Sequence, residues 1–337
     1  PTKNPWNLAY TPGGSCGGSG ATLATNLTTF EIGGDTGGSV RCPAAFCSVI
    51  GLKVTYGLVS RYGSIAFASS LDTVSPMTRS AEDCALVLET IAGNDPLDAT
   101  STQRKIPRYS QTLNESLKGI RLGIPEECFA EGVDQDVKNR VAQAIESLKK
   151  LGVKTVAIEL PNLKYSIATY YLINTSETSS NLGRYDAVRY GNPRADFGAE
   201  AKRRIMLGTF TLSAGYYDAY YRKATKVRTL IRQDFQEAFK KVDLIATPAM
   251  ASPPFKLGEK NNDPLQMYLT DIFTAPASLA GIPAIAFPCG FNREKLPIGI
   301  QIIGPAFSEA KLLSVAHQFE IKTGGFPSVT TWGESND

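Results

Sequence analysis

The sequence predicts an α/β fold, because short apolar runs suited to buried strands alternate with amphipathic helical stretches. The 337 residues are enough to bury a large core. No internal repeat, low-complexity tract or convincing linker divides the chain. We therefore predict a single domain over residues 1–337.

Six apolar runs are predicted to form strands: 30–33, 120–124, 153–160, 244–247, 284–287 and 298–303. Four stretches have helical periodicity. The first begins after a Ser80 cap and ends at Ile91, and the others cover 137–148, 223–241 and 309–321. Residues 95–107 and 192–196 are predicted loops, since they are rich in turn-forming residues.

Composition excludes several classes of function. The net charge is only +3, from 35 basic and 32 acidic residues, which by itself does not indicate a nucleic-acid-binding protein. The six cysteines are scattered and form no CxxC pair, so we expect reduced thiols in an intracellular compartment rather than a zinc site or a disulfide framework. No apolar run reaches the roughly 20 residues that a membrane span needs.

The start of the chain carries a further expectation. The sequence opens on Pro1 without a methionine or a signal pattern, and glycine-rich, site-like sequence begins by Gly13. We therefore expect the whole protein to have an N-terminal segment before Pro1.

Two glycine-rich stretches are the candidate functional motifs: TPGGSCGGSG (11–20) and GGDTGGS (33–39). They could be simple turns, or loops that bind phosphate, although neither GxxxxGK[ST] nor GxGxxG is present. A third interpretation fits better. The backbone N–H groups of Thr36, Gly37, Gly38 and Ser39 could converge as an oxyanion hole, because small side chains leave the approach open, and Ser39 would be the nucleophile.

A nucleophilic serine needs a base, and the only histidine, His317, falls in the last predicted helix among apolar residues. A packed helical histidine is the better interpretation, which argues against a Ser-His-Asp triad. A serine–lysine arrangement remains, in which a buried lysine with a lowered pKa is the base.

The two motifs, GGSCGGSG and GGDTGGSVRCPAAFC, resemble the paired loops of the amidase signature family. Ser15 and Ser39 are 39 − 15 = 24 residues apart, as in the family, and the resemblance continues through GLKVTYGLVSRYGSIAFASSLDTVSPMTRSAEDCA. It implies a mixed central β-sheet flanked by helices on both faces. Ser39 would be the nucleophile, Ser15 a proton-relaying serine held by a cis peptide, and Thr36, Gly37 and Gly38 the oxyanion hole.

The family's base lysine lies upstream of the first loop, so the resemblance implies that the catalytic lysine is absent from this sequence. The chain from Pro1 would then be nearly inactive alone. Lys53 matches a different, structural position of the family. Cys16 stands where the family usually has serine or glycine, and we expect only a modest effect from it.

Within the family, SETSSNLGRYDAVRYG, AKRRIMLGTF and DPLQMYLTDIFTAPASLAGIPAIAFPCGF resemble the glutamine-hydrolysing subunits of amidotransferases that form Gln-tRNA(Gln). By position, Tyr170, Arg204 and Asp271 would hold the backbone end of glutamine. The ammonia would pass to a partner, the B subunit of the amidotransferase, which uses ATP and magnesium on Glu-tRNA(Gln), beside a small third subunit. This chain would hold no metal or cofactor of its own. The likeness favours the mitochondrial matrix, with the bacterial cytoplasm as the alternative.

Two rival functions remain. A free-standing amidase of the same family would share Ser15 and Ser39 but, for a lipid amide, should be apolar where Arg204 and Asp271 fall. A non-catalytic scaffold subunit that lacks its lysine is the second rival, and finding or failing to find a lysine in the sequence upstream of Pro1 would separate it from both enzymes.

Overall fold

A computed structural model describes residues 1–129, 132–260 and 263–329; the predicted domain boundary at residue 337 lies outside them. The described residues form eight strands: β1 (Phe30–Gly34), β2 (Ile50–Lys53), β3 (Val74–Thr78), β4 (Arg121–Pro125), β5 (Lys154–Ile158), β6 (Leu244–Pro248), β7 (Ala284–Phe291) and β8 (Pro297–Ile303). They also form ten α-helices: α1 (Gly17–Ala24), α2 (Arg41–Cys47), α3 (Ala81–Ile91), α4 (Gln135–Lys150), α5 (Ser166–Asn181), α6 (Ala199–Leu212), α7 (Lys223–Lys241), α8 (Pro264–Leu269), α9 (Ala275–Ala280) and α10 (Glu309–Thr323).

The strands form one mixed sheet in the order β1-β3-β2-β7-β8-β6-β4-β5. The pairs β4–β5 and β4–β6 are parallel, and the others are antiparallel. The predicted mixed central sheet is therefore confirmed.

Helices cover both faces of this sheet. Successive residues of a strand point to opposite sides, so each strand packs against helices on both faces. On β7, Ile285 and Phe287 pack in the core that contains α3, α4 and α10. On the same strand, Ala284 faces the core of α5, α7 and α9, and Ala286 faces the core of α1 and α2. Both faces are buried, which explains why these strands appear in the sequence as continuous apolar runs.

Every predicted helix and strand is present, with ends that shift by a few residues. The Ser80 cap is confirmed, since its Oγ accepts a hydrogen bond from the Asp83 N–H at 3.0 Å. The predicted strand 153–160 is shorter and covers only Lys154–Ile158. The prediction lacked β2 and β3, and it also lacked the six helices α1, α2, α5, α6, α8 and α9. None of the described helices combines the length and the apolar character needed to cross a membrane.

Candidate active site

The predicted site residues meet at one cavity of about 760 Å³. Its lining includes seven of the eight: Ser15, Thr36, Gly37, Ser39, Tyr170, Arg204 and Asp271. Gly38, the eighth, lies within the same loop but not in the cavity wall. Residues far apart in the sequence thus share one cavity, as the motif and the resemblance together predict.

A buried ion pair anchors the loop that contains Ser39. Asp35 follows β1 and Arg41 begins α2, and neither side chain is exposed. Arg41 donates two hydrogen bonds to the Asp35 carboxylate, from Nε at 2.9 Å and from Nη2 at 2.8 Å. The charge and hydrogen bonds of Arg41 outweigh the opposing effect of burial and hold the pKa of Asp35 below its usual range. The ion pair joins the start of the connection between β1 and α2, residues 35–40, to the first residue of α2, and it therefore restrains the shape of this loop.

Gly38 lets this loop make its turn beside Thr274. Its φ is +140°, and a Cβ there would lie 2.3 Å from the Thr274 hydroxyl oxygen. The same hydroxyl donates to the Gly37 carbonyl at 2.6 Å, which fixes the direction of that peptide. Within the described residues, the backbone N–H groups from Thr36 to Ser39 donate to no acceptor. These free donors can bind a developing oxyanion.

The two glycine-rich loops are joined through the backbone. The Cys16 N–H donates to the Ser39 carbonyl at 3.1 Å, which ties the residue after Ser15 to the backbone of Ser39. The Gly14–Ser15 peptide is cis, as the resemblance implied. The Cys16 thiol lies 3.7 Å from the Gly34 carbonyl oxygen, where burial raises its pKa. The thiol therefore packs under the loop in its neutral form.

Lys53 has the structural place that the resemblance implied. Its side chain is fully buried, and Nζ donates to the carbonyls of Val54 at 3.1 Å and Ile282 at 3.0 Å. Burial, together with the charge of Arg41, lowers the pKa of Lys53 to about 7. It does not line the cavity, so the structure offers it no contact with a substrate there.

Asp271 lies beside two tyrosines of α5. The Tyr171 hydroxyl donates to Asp271 Oδ2 at 2.8 Å, and the Tyr170 ring packs against the backbone of Gly37. Burial raises the pKa of Asp271 to about 6, although Tyr171 and Arg204 oppose the shift. Asp271 can thus pair with a cation at neutral pH, when its carboxylate is ionised.

Arg204 reaches the cavity from α6, which crosses α5 at close range. A Cβ on Gly208 would lie 1.9 Å from the Thr175 carbonyl oxygen, so only glycine permits this crossing. One turn earlier, Arg204 Nη1 donates to Asn174 Oδ1 at 3.0 Å. The Arg204 side chain is only 16% exposed, which strengthens its interaction with an anion in the cavity.

Sequence reasoning missed the side chains that support these groups. They are Asp72, which accepts from Thr36 Oγ1 at 2.7 Å, and also Tyr171, Asn174 and Thr274. Each contacts a site residue from a distant part of the chain, so no local motif signals it. Among the residues that the structure describes, no group of three or more His, Cys, Asp or Glu side chains is arranged to hold a metal ion.

Comparison with known proteins places this geometry in a family. The profile described as Amidase matches residues 1–313. The A subunit of the glutamyl-tRNA(Gln) amidotransferase of Thermodesulfovibrio yellowstonii is 53% identical over 336 residues, which cover 96% of this chain and 69% of that protein. Its counterpart in Carboxydothermus hydrogenoformans is 53% identical over 338 residues, covering 96% and 70%.

Solved structures agree. The crystal structure of the glutamyl-tRNA(Gln) amidotransferase A subunit from Thermotoga maritima has a TM-score of 0.86 at 44% identity and covers 98% of this chain and 72% of that one. A peptide amidase bound to the competitive inhibitor chymostatin has a TM-score of 0.79 at 28% identity, with coverages of 98% and 70%. The chain therefore belongs to the amidase signature family.

Proposed function

We propose that this chain is the glutamine-hydrolysing A subunit of a glutamyl-tRNA(Gln) amidotransferase. The observation that carries the proposal is the presence of both Arg204 and Asp271 in the lining of the cavity that also contains Ser39. A guanidinium can bind an α-carboxylate, and a carboxylate can bind an α-ammonium. Glutamine carries both charges beside a primary amide, whereas a lipid amide carries neither.

Hydrolysis starts at the side-chain amide of glutamine. Ser39 Oγ attacks the carbonyl carbon, and its proton passes through Ser15 to a lysine base. The N–H groups between Thr36 and Ser39 stabilise the negative oxygen of the tetrahedral intermediate. The C–N bond then breaks, and ammonia leaves with the returned proton. Water next attacks the ester carbonyl, releases glutamate and restores the Ser39 hydroxyl.

The lysine base is the part of this mechanism that we assign outside the given sequence. Lys53 is committed to two backbone carbonyls and lies away from the cavity lining. This chain covers 69% of the length of the Thermodesulfovibrio relative.

The remaining parts of the reaction belong to partners. In the proposed complex, ammonia passes to the B subunit, which uses ATP and magnesium to activate Glu-tRNA(Gln), and a small third subunit completes the assembly. This chain itself would bind glutamine alone. We expect the protein to lie in the mitochondrial matrix. The alternative is the bacterial cytoplasm, and the two named relatives are bacterial, which supports this alternative.

The test uses the full-length protein assembled with its partner subunits. Ser39→Ala should lower glutamine-dependent transamidation by about 10⁴-fold or more, while transamidation with free ammonia stays within about twofold. Ser64→Ala is the matched control, since Ser64 lines the same cavity but is given no role. Glutamine-dependent activity that survives in Ser39→Ala would refute the proposed nucleophile. Wild-type protein that turns over other amides but not glutamine would assign it to the free-standing amidases, and an assembled complex without amidase activity would indicate a scaffold.

A further inference from the structure

Arg204 is held by a carboxylate that no motif identifies. Glu200 Oε1 lies 2.8 Å from Arg204 Nε, so the carboxylate occupies one edge of the guanidinium. Asn174 Oδ1 accepts from Nη1 on another side. Three aromatic rings then border the guanidinium, with centroids 5.4 Å, 5.4 Å and 5.7 Å from its carbon: Phe67, Tyr171 and Tyr268. These contacts restrict both the tilt and the rotation of the group.

Glu200 is itself fixed by three donors. It lies in the first turn of α6, four residues before Arg204, and its carboxylate also accepts from Arg203. The hydroxyl of Tyr268, on α8, donates to Glu200 Oε1 at 3.1 Å, and the Tyr268 ring stacks on Tyr171 at 3.9 Å. Glu200 therefore connects the residue that binds an anion to a helix from a different part of the fold.

An ordinary i,i+4 ion pair on a helix surface has little consequence, because water screens it. This pair differs in two respects. The Arg204 side chain is only 16% exposed, and both Glu200 and Arg204 line the cavity. Partial burial alone would raise the pKa of Glu200, but its hydrogen bond to Arg204 and the charge of Arg204 hold that pKa below the ordinary value. Glu200 is therefore ionised at neutral pH.

The arrangement leaves a defined part of the guanidinium open. An arginine has five N–H donors in a planar fork. Glu200 uses the one on Nε, and Asn174 uses one on Nη1. Within the described ranges, Nη2 donates to no acceptor, and it can therefore bind a carboxylate together with the remaining Nη1 donor.

We propose that Glu200 is a positioning residue for glutamine: it fixes the Arg204 guanidinium so that the open donors receive the α-carboxylate of the substrate. The proposal rests on the proposed function, since it concerns how that site recognises glutamine. Tyr268 supports the same arrangement by holding Glu200 Oε1. Glu200 does not touch the reacting amide, so its effect should fall on substrate binding rather than on chemistry.

The experiment measures glutamine hydrolysis by the full-length complex. Glu200→Ala should raise KM for glutamine about tenfold or more, with kcat within about twofold. Glu200→Gln keeps an oxygen that can accept from Nε and from Tyr268, so its KM should stay within about threefold of the wild type. Glu237→Ala is the control, because Glu237 forms an exposed ion pair with Lys240 far from any assigned role, and it should change neither constant.

A second substrate separates positioning from damage to the fold. 4-Aminobutanamide is glutamine without the α-carboxylate, and Glu200→Ala should leave its KM unchanged. An unchanged KM for glutamine would overturn the proposal, and a lower KM would mean that Glu200 competes with the substrate instead. Equal rises for both substrates would also overturn it, since they would show general damage. If the wild type hydrolyses 4-aminobutanamide and glutamine with equal kcat/KM, the proposed function fails instead, because the site then does not recognise the α-carboxylate.

Discussion

Replacing Arg41 with methionine would leave the Asp35 carboxylate buried without its cation. Besides its two bonds to Asp35, Arg41 donates from Nη1 to the Thr274 carbonyl at 2.8 Å and to Gln301 Oε1 at 2.6 Å, and from Nη2 to Ser278 Oγ at 3.0 Å. Removing one partner from such a buried pair costs about 3–5 kcal/mol. The free energy of unfolding of Arg41→Met should fall by that amount, and glutamine hydrolysis should fall with it.

The assay is urea unfolding of the full-length protein at neutral pH, followed by tryptophan fluorescence and circular dichroism. Arg121→Met is the control: it breaks an ion pair with Asp243 whose side chains are 45% and 28% exposed, and it should cost under about 1 kcal/mol. If the two variants lost equal stability, the reasoning about the buried pair would be refuted. Arg41→Met combined with Asp35→Leu should recover part of the loss, because no unpaired charge then remains buried.

The pH dependence of this contribution has a definite sign. The folded-state pKa of Asp35 is lowered relative to that of the unfolded chain, which is about 3.9. The stabilisation by the pair is therefore complete above that value and is lost as the pH falls through the lower folded-state pKa. The difference in stability between the wild type and Arg41→Met should shrink as the pH falls, because protonation of Asp35 removes both the ion pair of the wild type and the unpaired buried charge of the variant.

Two further predictions concern the binding of glutamine. If Asp271 binds the α-ammonium as we propose, it does so only when ionised; its pKa in the free protein is about 6, so KM for glutamine should rise about tenfold per pH unit below that value. Asp271→Asn should raise KM for glutamine at pH 8 and abolish the increase in KM at acidic pH. If KM of the variant still increased at acidic pH, a group other than Asp271 would be responsible. Gly208→Val places a side chain against the Thr175 carbonyl oxygen, so it should cost about 1–3 kcal/mol of stability and raise KM for glutamine by displacing Arg204. Gly198→Ala is its control, since a Cβ there meets no atom within 4 Å, and comparable losses in both variants would contradict the role assigned to the α5–α6 crossing.

The long periodic elements could be predicted from the sequence because their pattern matches their packing. Helix α4 buries Val137, Val141, Ala144, Ile145 and Leu148, and these are the residues that form its apolar stripe in the sequence. Helix α5 could not be found in this way. Its buried face includes Thr169, Asn174, Ser176 and Thr178, whose polar side chains do not form an apolar pattern in the sequence. In the structure, Asn174 and Ser176 form hydrogen bonds with neighbouring side chains. A helix that packs through such residues has no apolar stripe to detect.

Strand β2 was missed for a related reason. It is four residues long and ends in Lys53, which the pattern treats as a solvent-exposed residue although it is fully buried. Its Nζ donates to the carbonyls of Val54 and Ile282, and Ile282 is more than two hundred residues away. No local window of sequence contains that partner.

The residues of the candidate site also differ in whether local sequence could predict them. The glycine-rich stretch that ends at Ser39 is local, so this motif alone indicated a nucleophile and an oxyanion hole, whereas the role of Ser15 came from the family resemblance. Tyr170, Arg204 and Asp271 came only from the family resemblance, because each resembles an ordinary helix or loop residue in its own segment. The contacts that give them a common purpose, such as Tyr171 to Asp271, join residues 100 positions apart and exist only in the folded chain.

Ser39 should form a covalent ester with the γ-carbonyl of glutamine if it is the nucleophile, and this ester can be trapped. The full-length complex is mixed with glutamine, quenched in acid during turnover and digested for peptide mass spectrometry. We predict a γ-glutamyl ester on the peptide that contains Ser39 and none in Ser39→Ala. An ester on Ser15 instead, or steady glutamate release from Ser39→Ala, would contradict it.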